Sequence, residues 1–448
     1  MTINVFTHHR ASPASDRRGS GSMSAEEEDR PTVAIACQGG GSHTAFTAGV
    51  LDRLLEENDV DYDIVGLSGT SGGAICAFAT WYALATEGRD EGRSTARRLL
   101  AEIWSDIEAR GPFDSMVNDM TVALVRAQGR GMPMPSFSPY DTPTSDWSRE
   151  HLRTTLEDAV DPDALDAVVE RTDSLPPRLD IGAVDIQRGS FTTFTERDVT
   201  VDAVLASAAV PTLFQAAPVT QPDGSTRWYW DGLFSQNPPL GNLFGGREDR
   251  LDRADELWIV QINPQREYDI PTDLEGIADR RNELGGNLSV NQELGFIRVL
   301  NQWHASGQLG DVYRPIEVKT INLDESLAAP GKPLDYATKL DRASRLLDQL
   351  WDHGREQADR FLATERDRRR LTTAVDVSWA EESDTTVDEL ARPDYEAHFP
   401  TSLLNLRTYL RDGQIERSSS LDIRDLLEFR EFLTRAIPDL SVEVEEVL

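Results

Sequence analysis

Lysine is almost missing from this 448-residue chain: Lys319, Lys332 and Lys339 are all there is, and 45 basic residues face 78 acidic ones for a formal charge of -33. A deficit of positive charge on this scale excludes the basic patches that phosphate contacts require, so nucleic acid is not an expected partner. Anionic lipid is repelled as well at low ionic strength. At about 1 M salt the Debye length falls to roughly 3 Å, and a dense acidic surface becomes tolerable and well hydrated. The composition reads as a halophilic adaptation; an acidic surface tuned to a basic partner is the rival reading.

Cysteine is scarce too. Cys37 and Cys76 sit in apolar runs, the setting of small buried thiols and not of a disulfide framework. No run approaches the roughly 18 apolar residues of a membrane helix. Arg17-Arg18 is followed by Ser and acidic residues where a secretory signal would be apolar. Also missing are His or Cys clusters at metal-ligand spacing and any calcium loop, so no metal or cofactor is expected. With 39% hydrophobic and 27% charged residues, the chain reads as a globular cytoplasmic protein.

Residues 1–30 are rich in Ser, Arg and Glu and show no apolar pattern, which predicts a disordered leader. From Thr32 onward, short apolar runs alternate with helical patterns, the sign of an α/β domain with a largely parallel sheet. Val33–Cys37 and Ile64–Leu67 read as the first two strands, each followed by a helical pattern. Further strands are expected at Leu179–Val184, Leu257–Ile262 and Ile316–Asn322, and a long amphipathic helix at Leu334–Leu362. That places the main domain at 31–365 and leaves 366–448 as a helical appendage. Residues 111–145 are rich in Gly, Pro and Met, with Phe113, Met116, Met120, Met132, Met134 and Phe137, and read either as a lid or acyl-chain groove or as a packed crossover.

Three motifs carry chemistry. Gly69-Thr70-Ser71-Gly72-Gly73 lies between the second strand and its helix, where a nucleophile elbow belongs. The sharp turn crowds the backbone, so Gly69 and Gly73 give it room while the Ser71 hydroxyl stands clear at the helix N-terminus. Gly39-Gly40-Gly41-Ser42 ends the first strand and opens a helix, so its amides can face an anion such as the oxyanion of acyl transfer. Helix N-termini also bind phosphates. The glycines here are followed neither by the Lys-Ser/Thr of a P-loop nor by G-x-G-x-x-G spacing. Asp231-Gly232 closes the run Trp228-Tyr229-Trp230, and apolar surroundings raise a carboxylate toward a usable base. Asp223-Gly224, between Pro222 and Ser225, is the contrasting pair and reads as a plain hairpin turn.

Taken together, the glycine loop, an elbow 30 residues after it and the distant Asp-Gly resemble the patatin-like phospholipases. Ala206-Ser207-Ala208-Ala209-Val210-Pro211-Thr212-Leu213-Phe214 and Asn237-Pro238-Pro239 fit the same pattern. The resemblance implies a three-layer α/β/α fold with a mostly parallel sheet, and a Ser71–Asp231 dyad without a catalytic histidine. It also implies oxyanion donors among Gly39, Gly40, Gly41 and Ser42, and a lipid ester substrate hydrolysed through an acyl-enzyme. Any membrane contact is expected to be only peripheral and salt-dependent. Acyl transfer by the same dyad and a non-catalytic lipid- or protein-binding scaffold are the alternatives. The chain departs from the family at His43-Thr44, where Gly-Gly-Gly-x-Arg-Gly is usual, and at Leu233, where Gly or Ala is commoner. His304 and His353, the downstream candidates for an ordinary Ser-acid-His triad, fall in helical patterns.

Overall fold

The computed structural model describes residues 2–7, 30–56, 62–132, 138–141, 143–171, 177–211, 213–244, 254–267, 270–309, 313–323, 334–374 and 440–445. The elements run β1 (Thr2–Thr7), β2 (Thr32–Cys37), α1 (Ala45–Glu56), β3 (Asp63–Thr70), α2 (Gly72–Glu87), α3 (Arg89–Ile107), α4 (Gly111–Gly129), α5 (Pro143–Ala159) and α6 (Pro162–Val169). There follow β4 (Arg178–Asp185), β5 (Ser190–Thr195), α7 (Val201–Ser207), β6 (Ala217–Thr220), β7 (Thr226–Asp231), α8 (Gly241–Phe244) and β8 (Glu256–Gln261). The last are α9 (Leu274–Ala305), β9 (Glu317–Asn322), α10 (Ser344–Ala374) and β10 (Leu440–Glu445).

Eight strands form one sheet in the order β6-β7-β4-β3-β2-β8-β9, with β5 also on β4. The five from β4 to β9 are mutually parallel, and β5, β6 and β7 join antiparallel. Successive strand residues point to opposite faces, and the continuous apolar runs of β2 and β8 have a layer to bury on each side. Val33, Ile35, Cys37, Trp258 and Val260 enter one core with residues of α1, α2, α3 and α10. Ala34, Ala36, Leu257 and Ile259 enter a second core with α8 and α9. This is the three-layer α/β/α arrangement with a mostly parallel sheet. Helix starts are set locally: Asp161 accepts from the Asp163 and Ala164 amides ahead of α6, and Asp273 from Gly276 ahead of α9.

The expected helix over 334–362 is two pieces. A 3-10 turn at Ala337–Leu340 precedes α10, and between them Asp341 accepts from the Ala343 amide and from Asn118 on α4. A competing side-chain acceptor of this kind interrupts a helical pattern. The Gly- and Met-rich stretch is mostly α4; Met134 and Phe137 lie outside the described residues. Through Arg126–Asp335, Asn118–Asp341 and Asp114–Arg342, α4 is strapped to residues 335–342, while Phe113, Met116 and Met120 are exposed.

At the ends of the chain, β1 and β10 pair antiparallel, with Ile3 opposite Val444 and Val5 opposite Val442. This ribbon falls in the stretches read as a disordered leader and a helical appendage, where the short period-two alternation went unread. The helices expected near 402–411 and 424–436 lie outside the described residues. Among the described residues no helix is long and apolar enough to cross a membrane.

One of the scarce lysines has a structural post. Lys319 on β9 is buried with its ammonium on Glu256 of β8 at 2.6 Å and Glu365 of α10 at 2.5 Å, and Trp258 also donates to Glu256. Removing the shared cation leaves two carboxylates in a place with little water. Lys319→Met is therefore expected to lower unfolding free energy by about 3–5 kcal/mol, read from denaturant titration in high salt; an unchanged midpoint would contradict the assignment.

Candidate active site

Strand register alone brings the two ends of the site together. On β4, Asp180–Asp185 pair with β5 along one edge, so β3 and β7 must share the other. There β3 runs up β4 and ends with Thr70 opposite Gly182, while β7 runs down it and ends with Asp231 opposite Ala183. The two strands meet end to end at neighbouring rungs. The residues that follow or close them are Ser71 and Asp231. Glycine makes the junction possible: a Cβ on Gly232 would come within 2.6 Å of the Gly182 carbonyl oxygen.

Ser71 turns the chain from β3 into α2 with φ 57° and ψ -129°, and among the described residues no other non-glycine has a positive φ. Such a conformation costs about 1–3 kcal/mol and persists only where its surroundings impose it. Here the imposition is visible. The Ser71 amide donates to Ser207 Oγ at 3.0 Å, and Ser207 in turn donates to the Gly182 carbonyl at 2.6 Å. Gly69 and Gly73 are packed against backbone: a Cβ on Gly69 would meet the Gly73 carbonyl at 2.3 Å, and one on Gly73 the Cys37 carbonyl at 2.3 Å. Neither position has room for a side chain at the turn from β3 into α2.

Asp231 is wholly shielded from solvent, and its Oδ1 accepts from the Leu233 amide at 2.8 Å. Oδ2 has no partner of full hydrogen-bond geometry among the described residues. Burial raises its pKa from 3.8 to about 7, against the opposing pull of the Ser71 hydroxyl beside it and of the Leu233 amide. A carboxylate shifted this far is a stronger base by roughly a thousandfold. The other Asp-Gly pair is different in kind: Gly224 has φ +78° in the turn joining β6 to β7, where Asp223 accepts from Ser225 in solvent.

The glycine loop sits against this pair, a Cβ on Gly39 falling 2.4 Å from the Thr70 carbonyl oxygen and 2.9 Å from Ser71 Cβ. Gly39 does not serve as a free donor, however: its N–H is bound by Asn237 Oδ1 at 2.6 Å. Buried amides seek partners, and this one has found its own. The candidate donors narrow to Gly40, Gly41 and Ser42, whose N–H groups have no acceptor among the described residues, together with Gly72 at the first position of α2. Sequence reasoning passed over Gly72, although its place one residue after an elbow serine marks it. It likewise gave no role to Ser207 or Asn237, which act across long sequence separations.

Among the described residues no histidine is bonded to Ser71 or Asp231. His43 is buried with Nε2 2.9 Å from Thr338 Oγ1, and burial together with nearby Lys339 lowers its pKa to about 3, so it stays neutral. His353 packs on Phe46 and His304 on Tyr313. The buried Cys37 and Cys76 are free thiols, both pushed up by burial, Cys76 to about 12, and so remain protonated.

Residues 35–244, which span the glycine loop, the elbow and Asp231, match the family model for patatin-like phospholipases. The chain carries a patatin-like phospholipase domain. Among solved structures it is similar to VipD from Legionella pneumophila, at 12% identity and a TM-score of 0.30 over 73% of this chain and 67% of that one. It is also similar to the ExoU-SpcU complex from the type III secretion system of Pseudomonas aeruginosa, at 14% identity and a TM-score of 0.28 over 74% of this chain. That match spans 52% of the other chain, about half its length. No curated protein matches the chain. The matched patatin-like segment ends at the last residue of α8, so β8, α9, β9 and α10 lie outside it and still complete the sheet and both helical layers.

The junction supplies its own test. Gly232→Ala is expected to leave the secondary structure intact by circular dichroism while separating Asp231 from Ser71, cutting phosphonylation of Ser71 at least about 100-fold, since misplacement by 1 Å costs that much. Unimpaired labelling of the variant would show that the end-to-end contact is not needed.

Proposed function

We propose that this protein is a lipid acyl hydrolase in which Ser71 is the nucleophile and Asp231 its only proton acceptor. The observation that carries the reading is the buried Asp231 carboxyl, raised to about 7 and facing the Ser71 hydroxyl with an oxygen otherwise unused. An acid in that state can take a proton near neutrality and return it, which is the general-base requirement. Family membership supports the lipid ester as substrate.

The geometry supports the following steps. Ser71 Oγ attacks the ester carbonyl carbon while its proton passes to Asp231, and the carbonyl oxygen takes up negative charge. Amides at Gly40, Gly41, Ser42 and Gly72 are the donors available to it, each worth about 3–4 kcal/mol where such a donor is aligned. Collapse breaks the bond to the alcohol, which leaves with the proton held by Asp231. Water then attacks the acyl-enzyme, gives its proton to Asp231 and releases the fatty acid, and Ser71 recovers its hydrogen.

Ser71→Ala and Asp231→Asn are each expected to lower ester turnover in high salt by about 10⁴-fold or more, as losses within a concerted dyad do. His304→Ala and His353→Ala are expected to keep the wild-type rate to within about twofold. Full turnover in Asp231→Asn would remove the dyad, and an inactive His304→Ala would restore a triad. Across p-nitrophenyl esters, activity should rise with acyl length; preference for acetate alone would contradict a lipid substrate.

A further inference from the structure

Lys339 is the second described lysine in a chain of charge -33, and its surroundings differ from those of Lys319. Its ammonium donates to the side-chain oxygens of Asn263 and Asn282, each at 2.6 Å, and it forms no ion pair with a carboxylate among the described residues. Two neutral amides are unusual company for a cation in a protein with 78 carboxylates. Lys339 retains some exposure while being desolvated enough for its pKa to fall to about 8.

Its place in the fold is specific. A Cβ on Gly41 would lie 2.2 Å from the Lys339 carbonyl oxygen, so the lysine backbone rests directly on the glycine loop. The preceding residue, Thr338, bonds the His43 ring that follows the loop. Asn263, which holds the ammonium, donates its backbone amide to Gln38 Oε1 at 2.8 Å, and Gln38 directly precedes Gly39. Asn282 lies on α9, whose Gly286 carbonyl and Asn287 side chain accept from Gln38 Nε2. Every bond made by this ammonium therefore leads back to the start of the loop within one further residue or element.

We propose that Lys339 is a positioning residue for the oxyanion loop, its ammonium both fixing the Asn263–Gln38 and α9 supports of residues 39–42 and adding positive potential to them. The inference rests on the acyl-hydrolase reading of Ser71 and Asp231. The loop stabilises charge that exists only in the transition state, so a cation acting through it raises kcat more than it lowers KM. Neutral His43 leaves the role to Lys339, and Lys339 itself helps to keep that ring neutral.

The titratable groups facing Lys339 are the carboxylates of Glu283 and Asp279 on α9, which oppose the fall in its pKa, and the neutral His43 ring on the loop. Its own segment brings Asp335, paired to Arg126 of α4, and Tyr336, which feels Asp231 and Arg281. Lys339 is charged below about pH 8 and loses its charge above it, so ester turnover should fall on the alkaline side through that value.

The test compares wild type, Lys339→Met, Lys339→Arg and Ser71→Ala on one ester in high salt across pH 5–10. Lys339→Met is expected to lower kcat about 10- to 100-fold at pH 7.5 with KM changed less than about threefold, and to lose the alkaline limb. Lys339→Arg should restore kcat to within about fivefold and hold it to the end of the pH range, because guanidinium stays charged. An unchanged kcat in Lys339→Met, equal loss in the Arg and Met variants, or an alkaline limb that persists in Lys339→Met would each overturn the proposal alone. Turnover surviving in Ser71→Ala would remove the underlying hydrolase reading, and this proposal with it.

Discussion

Everything at the site depends on two strands meeting end to end along one edge of β4. Had β7 paired one residue further along, every side chain on it would have changed faces, and Asp231 would point away from Ser71. The register is held from several sides. Gly182 and Gly232 pass without side chains, Ser207 ties the elbow to the Gly182 carbonyl, and Thr70 donates to the Gln236 carbonyl just past Asp231. Burial then tunes what proximity allows: shielded from solvent, the Asp231 carboxyl rises to about 7, and in the proposed dyad it acts without a histidine as intermediary.

The glycine loop is the second structure built on this junction. Its amides can face an oxyanion only if the loop itself is held, and the supports come from far along the chain. Asn237 captures the Gly39 amide, Gln38 is bonded on both sides by α9 and by the end of β8, and the 3-10 turn at Ala337–Leu340 lies against Gly41. Those supports include α9 and residues 334–341, which lie beyond the segment matched by the family model. The candidate site of the patatin-like domain is thus supported by chain that the family match does not cover.

How much of this the sequence could reveal follows from the range of each interaction. The elbow was legible because its demand is local: a strained serine between packed glycines has to be written as Gly69-Thr70-Ser71-Gly72-Gly73. Strands β2, β3 and β8 were legible because a doubly covered strand is apolar on both faces. Asp231 was only half legible, since Asp223-Gly224 carries the same dipeptide and the difference lies in burial and register. Asn237, Ser207 and Lys339 act through partners 25 to 198 residues away; the first two sit in segments that fit the family pattern, but nothing local names the partner of any of them. The same limit explains why Gly39 was grouped with the other oxyanion candidates: that its N–H is already bound could not be seen without Asn237 in place.

The account's central claim is that a buried carboxyl alone activates Ser71, and the most direct measurement is the second-order rate of Ser71 phosphonylation by a fluorophosphonate as a function of pH in high salt. The base works only when deprotonated, so the wild-type rate is predicted to rise about tenfold per pH unit up to an inflection near 7 and then level off. In Asp231→Asn that inflection should vanish and the rate stay low throughout. An inflection near 7 that survives in Asp231→Asn would place the titrating base elsewhere and contradict the account.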